Sequence, residues 1–392
     1  MNQPTTTQDR YHQMRLNGPI ITRRSFQGPA YYVLGHQEAR QILGDHKRFV
    51  KDPNNILPPE QRTPRGRSSM DMFSLLYDNM LSTDAPDHTR LRALVSKAFT
   101  NKRVQELTPR IQEIADQLID DFQHMGQANL LDVYAFPLPI IVICELLGVP
   151  AADRNKFRAW SHAFLGIADS HGYMGSLTDF VKYIGRMITA RRKHPQDDLI
   201  SALVHATEDG QTLTEQELYS MIALLIVAGH ETTVNLIGNG MAALLQNPDQ
   251  MHLLQQNPEH IDTAIEELLR YSGPVEMSTT RYAAENVTIS DTFIPHGSPV
   301  IIIFAAANLD PTQFIDHNQL DITRANNKHL GFGYGVHYCI GAPLARLEAK
   351  IAFNTLLQRI PTIQLAIPAS QLTYNNGTIV RGLTRLPVRW NA

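Results

Sequence analysis

The spacing of apolar residues along the chain predicts a mainly helical protein. Apolar positions recur with the helical period in six segments, residues 87–99, 108–125, 177–193, 214–246, 259–271 and 343–359. Strand-like runs are short and lie at residues 30–34, 287–289 and 300–304, with further pieces near the C-terminus. We therefore expect a helical body with a minor sheet.

One predicted helix is unusually long. The segment 214–246 has no stop signal before the Asn-Pro pair that follows it, which corresponds to about 50 Å of helix. Thr214 and Glu217 have the spacing of a capping box at its first turn. Its apolar centre predicts burial, yet residues 229–233 read Gly-His-Glu-Thr-Thr. Because polar groups in a buried helix are costly unless they are hydrogen-bonded or used, either the helix becomes partly exposed there or these residues carry chemistry.

Composition and charge narrow the class of protein. The 392 residues are 43% apolar and 19% charged, with 35 basic and 38 acidic side chains and a net charge of -3, which is typical of a globular chain. No basic stripe is present, so we expect no nucleic-acid partner. Two cysteines, Cys144 and Cys339, build neither a disulfide framework nor a four-cysteine zinc site and favour a reducing compartment. The start of the chain lacks a signal pattern and the longest apolar runs are too short for a membrane span, so we expect a cytoplasmic protein without a membrane anchor.

The second cysteine lies in a segment that favours chemistry. Residues 332–343 read Phe-Gly-Tyr-Gly-Val-His-Tyr-Cys-Ile-Gly-Ala-Pro, and their glycines allow the backbone to approach a flat ligand closely. Pro343 suits the first turn of the following helix. Cys339 thus precedes a helix N-terminus, where free N–H groups and the dipole favour a thiolate. A lone cysteine is otherwise a small hydrophobic residue, but the glycine-rich setting favours a functional one.

This segment, with Ala-Pro-Leu-Ala-Arg at residues 342–346, resembles the haem-ligand loop of the cytochrome P-450 monooxygenases. Three further segments resemble signatures of that family and occur in its order. They are Ala-Gly-His-Glu-Thr-Thr at residues 228–233, similar to the oxygen-activating helix, Glu-Leu-Leu-Arg at 267–270, similar to the Glu-x-x-Arg motif, and His-Thr-Arg-Leu-Arg at 88–92, similar to the helix that clasps the haem propionates. The chain is identified as a member of this family.

The resemblance implies a fold. We expect a mainly α, triangular helical prism with a small β-sheet region and one haem b (iron protoporphyrin IX) buried between the long helix and the helix after Cys339. Residues 1–392 would form a single haem-thiolate monooxygenase domain, with residues 1–20 as a mobile N-terminal tail.

The resemblance also implies roles for the residues around the cofactor. Cys339 would be the thiolate ligand of iron, a ligand that favours O–O cleavage. Phe332 would pack against the ligand loop and the haem edge, while Gly335 and Gly341 would allow close backbone approach and N–H donation to the sulfur. The propionates would be held by four cationic or imidazole side chains, His88, Arg92, Arg281 and His337.

Further roles concern catalysis, scaffold and substrate. Glu231 and Thr232 match the acid–alcohol pair that delivers protons during oxygen activation. Glu267 and Arg270 would be a buried scaffold pair, with Arg324 as a third member. Substrate would contact Ala228 and Met277, and the pocket walls are expected from four segments, residues 58–81, 160–178, 275–278 and 379–381.

The implied reaction inserts one oxygen atom from O₂ into a C–H or C=C bond of an apolar small molecule. Residues 87–92, 136–154 and 228–236 look most like the bacterial members that hydroxylate polyketides and macrolides in secondary metabolism, on a free or a carrier-protein-bound substrate. Fatty-acid and steroid or terpenoid hydroxylases remain alternatives, as does a non-catalytic haem-binding sensor or recruitment module. A cysteine hydrolase using Cys339 and a nearby histidine would leave the glycine loop, the long helix and the Glu267–Arg270 pair unexplained.

Electrons are expected from a separate ferredoxin or flavodoxin with its NAD(P)H reductase, because 392 residues leave no room for a fused reductase. Several basic residues should lie on or near the two helices that border the Cys339 face. They form either a basic docking patch or an ordinary solvated face, and they are Arg90, Lys97, Lys102, Arg103, Arg346 and Lys350.

Overall fold

The computed structural model describes residues 7–25, 28–62, 78–164, 170–375 and 379–391. Helices make up most of the described chain, as the apolar spacing predicts. The α-helices are α1 (Thr7–Arg15), α2 (His36–Gly44), α3 (Asp87–Ala98), α4 (Asn101–Glu106), α5 (Thr108–Phe122), α6 (Pro137–Leu147), α7 (Arg154–Phe164), α8 (Ser170–Lys193), α9 (Leu199–His205), α10 (Glu215–Gln246), α11 (Pro248–Gln256), α12 (Ile261–Ser272), α13 (Phe304–Ala307) and α14 (Ala342–Arg359).

Short strands form three small sheets. The strands are β1 (Ile20–Ser25), β2 (Gly28–Val33), β3 (Phe49–Val50), β4 (Gln127–Asn129), β5 (Arg281–Ala283), β6 (Val287–Ile289), β7 (Thr292–Ile294), β8 (Pro299–Ile302), β9 (Gln364–Leu365) and β10 (Pro387–Arg389). The largest sheet has the order β1-β2-β8-β5-β3, in which only the β2–β8 pair is parallel. The other two have the orders β4-β10-β9 and β6-β7.

The long helix α10 begins at the predicted capping box. The Thr214 hydroxyl accepts the Glu217 N–H at 3.2 Å, and the Glu217 carboxylate accepts the Thr214 N–H at 2.8 Å. The helix packs against α6, α12 and α14, and most of its residues between Leu218 and Leu244 are buried. Within the described residues it is the one helix long and apolar enough to cross a membrane, with a mean hydropathy of 1.5 in an 18-residue window. Because 72% of that window is buried inside the protein, α10 is the central core helix.

The start of the chain differs from the expected mobile tail. Residues 7–15 form α1, whose Tyr11 side chain is only 2% exposed. Arg15 donates to the carbonyls of Ala306 at 2.7 Å and Leu309 at 2.9 Å, and Ile20 then enters β1. The expected tail is therefore corrected for residues 7–20, because a few anchoring side chains outweigh a largely polar composition.

The largest sheet places residues from distant parts of the chain beside one another. β3 pairs with β5 so that Val50 lies opposite Tyr282, which brings Lys51 towards Arg281. β5 in turn pairs with β8, whose other neighbour is β2. This sheet holds one side of the site described next, and α10 and α14 hold the other.

Candidate cofactor and active site

The loop that carries Cys339 is built from close turns. Gly333 and Gly335 have φ of +74° and +76°, a conformation that side chains rarely allow. A Cβ on Gly335 would lie 2.5 Å from the carbonyl oxygen of Leu43, so the loop rests directly on the end of α2. The close approach expected of Gly335 is thus made to this helix. The Cys339 N–H donates to the Phe332 carbonyl at 2.9 Å and closes the loop.

The Cys339 side chain is accessible to solvent, although burial by the surrounding protein raises the pKa of its thiol. The backbone N–H groups of Gly341 and Ala342, at the start of α14, oppose the rise by hydrogen bonding to the sulfur. The helix start therefore favours the thiolate as predicted, but in the protein alone burial outweighs it.

The four residues expected at the propionates lie together. The rings of His88, on α3, and His337, in the cysteine loop, have centroids 4.2 Å apart. Arg92 donates to the Tyr338 carbonyl at 2.7 Å, one residue before the cysteine. Burial, with Arg281 and His88 as the next causes, lowers the pKa of His337 to about 2. The sequence motifs thus converge on one positively charged place beside Cys339.

Lys51 belongs to the same cluster and was missed from the sequence. It is only 7% exposed, and its ammonium donates to the Thr279 hydroxyl and to the Thr280 carbonyl, the latter at 3.0 Å. Burial, and then the charge of Arg281, lower the pKa of Lys51 to about 7. No local motif marks this lysine, because it reaches the cluster only through the pairing of β3 with β5.

Several polar atoms of this cluster lack partners. Among the described residues, Nε and Nη1 of Arg281 and Nε2 of His88 are buried without a hydrogen-bond partner. Asp84 is the carboxylate that acts on both Lys51 and Arg281, but its oxygens accept the backbone N–H groups of Lys51 and Asp52. Buried cations and unpaired donors are costly, and they match a ligand that brings carboxylates. The residues therefore fit a haem b, whose two propionates would lie here with its iron at Cys339.

The middle of α10 is partly exposed. Ala228 is exposed and Thr232 half-buried, one helical turn apart on a helix that is largely buried between Leu218 and Leu244. The Thr232 hydroxyl donates to the Ala228 carbonyl at 2.8 Å. Gly229 lets α6 approach, since a Cβ there would lie 3.0 Å from Ile143 Cδ1. The polar run in this helix is thus hydrogen-bonded and partly exposed at once.

Glu231 is held behind Thr232. Its carboxylate accepts the Asn235 amide at 3.2 Å, and the same amide donates to the Glu231 carbonyl at 2.8 Å. His230 Nε2 lies 3.7 Å from the carboxylate, while its Nδ1 is 2.8 Å from the Ile226 carbonyl. Asn235 was not singled out from the sequence, although its position four residues after Glu231 is a usable signal.

A second layer of side chains supports the cysteine loop. The Arg346 guanidinium lies 4.6 Å above the Phe332 ring and binds the Glu266 carboxylate at 2.6 and 2.8 Å. His329 Nε2 lies 2.9 Å from the same carboxylate. Burial alone would raise the pKa of Glu266, but the hydrogen bonds from Arg346 and His329 hold it at about 2. Phe332 is thus fixed between α14 and the loop it begins.

Glu267 and Arg270 lie in the interior, at 0% and 1% exposure. Two parallel hydrogen bonds of 2.7 Å join the guanidinium to the carboxylate. Arg324 donates to the same carboxylate at 3.0 Å, which is the contact expected of a third member. Arg270 also donates to the carbonyls of Asn308 and His317, and so ties α12 to the segment before the cysteine loop.

The expected pocket walls are described in part. Val275 pairs with Val380, and the Ser278 N–H donates to the Ile302 carbonyl, so residues 275–278 and 379–381 lie side by side with Met277 half-buried. Residues 63–77, and residues 165–169 between α7 and α8, lie outside the described residues.

Comparison with known proteins defines the class. The family model "Cytochrome P450" matches residues 170–362. The chain is 46% identical over 370 residues to cytochrome P450 CYP107DY1 of Priestia megaterium, covering 92% of this chain and 90% of that protein. It is 42% identical to the mycinamicin IV hydroxylase/epoxidase of Micromonospora griseorubida, covering 98% and 96%.

Solved structures agree. The cytochrome P450 PksS of the Bacillus subtilis bacillaene polyketide synthase superimposes with a TM-score of 0.90 at 39% identity, over 100% of both chains. P450BioI, solved with an acyl carrier protein bearing hexadec-9Z-enoic acid, gives 0.87 at 38% identity, over 97% of both.

The fold and the sequence similarity together define a haem-dependent monooxygenase. The chain belongs to the cytochrome P450 family, and it uses O₂ and electrons from a redox partner as members of that family do.

Proposed function

We propose that Cys339 is the iron ligand, that Glu231 and Thr232 deliver protons, and that the substrate is an apolar polyketide-type molecule. One observation carries the proposal. The accessible thiol at the start of α14 shares its loop with His337, whose ring packs against that of His88, and among the described residues two buried nitrogens of Arg281 and one of His88 have no hydrogen-bond partner.

The cofactor residues divide the work. When bound, haem supplies the iron at which O₂ is activated so that one oxygen atom enters the substrate. Cys339 donates electron density through its sulfur, and the N–H groups of Gly341 and Ala342 moderate that donation by hydrogen bonding to it. Phe332, held under Arg346, keeps the loop in place. His88, Arg92, Lys51, Arg281 and His337 would hold the propionates.

The α10 residues move protons. The Thr232 hydroxyl is half-buried and can turn from the Ala228 carbonyl to donate a proton. Glu231, buried and held by Asn235, resupplies that proton through water. The acid needs a fixed position because proton transfer requires hydrogen-bond geometry, and the Asn235 amide supplies it.

The substrate class rests on the relatives. PksS belongs to a polyketide pathway and the Micromonospora enzyme acts on mycinamicin IV, as their names state. Ala228 and Met277 give the pocket an apolar surface suited to such a guest. A carrier-bound acyl chain is the second candidate, because P450BioI, with nearly the same fold, was solved with its acyl carrier protein. A cytoplasmic location is part of the proposal.

The electron partner is proposed to be a ferredoxin or flavodoxin, but the basic patch considered from the sequence is weakened. Each of its six cations has a carboxylate within 4 Å: Arg90 with Glu217, Lys97 with Glu208, Lys102 with Glu106, Arg103 with Asp197, Arg346 with Glu266 and Lys350 with Asp262. The ordinary solvated face is therefore favoured. Tyr334, Val336 and Tyr338 of the cysteine loop are large, exposed and apolar, and we propose that the partner docks on them.

Spectroscopy tests the iron ligand. The reduced, carbon-monoxide-bound protein should show the red-shifted Soret band of thiolate-ligated haem. Cys339→His should lose that band while retaining some haem, and Cys144→Ser should keep it, because Cys144 is fully buried in α6 whereas Cys339 is accessible. Loss of the band in Cys144→Ser alone would refute the assignment.

A further inference from the structure

The N-terminal helix α1 is joined to a buried carboxylate of the pocket wall. Glu276 is 8% exposed, and its Oε1 accepts hydrogen bonds from the Tyr11 hydroxyl and the Arg10 guanidinium. Arg10 also donates to the Tyr11 hydroxyl at 2.8 Å. These residues are 265 and 266 positions apart in the chain, so no local folding preference explains the contact.

The backbone of Glu276 connects two parts of that wall. Its N–H donates to the Ile379 carbonyl at 2.8 Å, and its carbonyl accepts the Ala305 N–H at 3.2 Å. The next residue, Met277, packs in the same apolar cluster as Tyr11, together with Leu34 and Ile303. Glu276 and Met277 are therefore both attached to α1, the first by hydrogen bonds and the second by apolar packing.

A second attachment fixes α1 itself. Arg15, in its last turn, donates to the Ala306 and Leu309 carbonyls around α13. The helix is thus held at its middle and in its last turn against the segments that carry Met277 and Ala305, and it cannot shift without breaking these hydrogen bonds.

We propose that α1 is a positioning strap. Tyr11 and Arg10 hydrogen-bond to Glu276 and thereby keep the Met277 wall of the substrate pocket in contact with a large bound molecule. The inference rests on the proposed function, because the place of Met277 in the pocket belongs to it. Burial and the neighbouring Glu276 raise the pKa of Tyr11, so the hydroxyl remains a donor throughout the physiological pH range.

Two iron-binding azoles distinguish an effect on the pocket wall from an effect on the iron. Imidazole is small and reports the iron alone, whereas clotrimazole also fills the pocket. Each is titrated into the purified holoenzyme and followed by its Soret shift. Tyr11→Phe removes one donor and keeps the ring, and Glu276→Gln removes the charge. Arg24→Gln, on an exposed residue of β1, is the control.

Both strap variants should weaken clotrimazole binding about threefold to tenfold, which corresponds to about one hydrogen bond, and should leave the imidazole Kd within about twofold. Arg24→Gln should change neither. Equal changes for the two azoles, or none for clotrimazole, would overturn the strap.

The Met277→Ala variant distinguishes a failure of the strap from a failure of the assignment of Met277 to the substrate pocket. It should weaken clotrimazole alone, in the same direction as the strap variants. If it does and Tyr11→Phe and Glu276→Gln do not, the strap is wrong and the pocket assignment stands. If Met277→Ala itself has no effect, the pocket assignment is wrong and the strap falls with it.

Discussion

Arg281 on β5 and Lys51, which directly follows the neighbouring strand β3, are two buried like charges. Burial lowers the pKa of Lys51 to about 7 and that of Arg281 to about 10, which measures how unfavourable the arrangement is for the protein alone. An anion bound between the two cations would relieve their repulsion, and this relief would contribute to the free energy of binding. The residues proposed to hold a propionate are thus buried cations that the protein alone stabilises poorly.

Lys51→Met should speed haem loss about tenfold, because one charge-assisted hydrogen bond to a propionate is removed. The measurement is transfer of haem to excess apomyoglobin. Lys47→Met, on an exposed neighbour, should not change the rate.

Haem dimethyl ester, which lacks the propionate charges, provides the matched control. The native protein and Lys51→Met should lose the ester at similar rates. A faster loss of the ester from the variant would place the effect in packing instead of charge.

Thr232→Ala should uncouple the enzyme. Haem spectrum and substrate binding should stay near normal, while at least about tenfold less of the reducing power appears in product and the rest forms hydrogen peroxide, since general-acid groups contribute about 10² or more to rate. Thr233→Ser, on a buried neighbour, is the control. Unchanged coupling in Thr232→Ala would contradict the proton role.

Single residues were predictable where the sequence itself carried a pattern. Cys339, His337 and the Glu231-Thr232 pair stand in runs whose spacing already indicates chemistry. Lys51 and the Tyr11–Glu276 contact do not, because their partners are more than 220 positions away and are set by strand pairing and helix docking. Such contacts depend on the assembled fold and leave no local pattern.

At the scale of elements, two adjacent glutamates of α12 have different surroundings. Glu267 is fully buried and accepts from Arg270, Arg324, Asn327 and the Asp321 N–H. Glu266 is partly exposed and binds Arg346 and His329. The first joins α12 to the segment before the cysteine loop, and the second joins it to α14.

Glu267→Gln should therefore lower the free energy of unfolding by about 3–5 kcal/mol, since it leaves Arg270 as an uncompensated buried charge. Glu266→Gln should cost about 1 kcal/mol, because that pair is partly solvated. Urea unfolding followed by circular dichroism measures both. Equal, small losses would mean that Glu267 is not in the interior.

Elements differed in how far the sequence predicted them. α10 and α14 have clear starts, a capping box in one and Pro343 in the other, and both were placed within one residue at each end. The helix over Pro137–Leu147 was not predicted, because its mostly buried side chains leave no polar face to give a period. A helix that is buried on all sides therefore cannot be predicted from the spacing of apolar residues, although packing stabilises it.

At the scale of the whole molecule, the ion pairing of the basic residues near the Cys339 face determines how strongly salt affects reduction by the redox partner. A field that is locally neutral gives little long-range attraction, so reduction by a ferredoxin should change less than about threefold between 0.05 and 0.5 M salt. Val336→Glu should slow reduction by the ferredoxin and leave dithionite reduction normal, because it places a charge on the exposed apolar loop. Stopped-flow formation of the carbon monoxide complex measures both rates. A steep salt dependence would restore the basic patch.

The pairing of β3 with β5 has a consequence for biosynthesis. The strand that precedes Lys51 can pair only after residue 282 has been synthesised, because Val50 lies opposite Tyr282. In the same way, His88 can contact His337 only after residue 337 has been synthesised. Most of the polypeptide has therefore left the ribosome before any cofactor site exists, whatever helices have already formed. Haem can therefore bind only after the chain has been synthesised past residue 337. A shortage of haem would leave a folded protein whose buried cations repel one another without an anion between them.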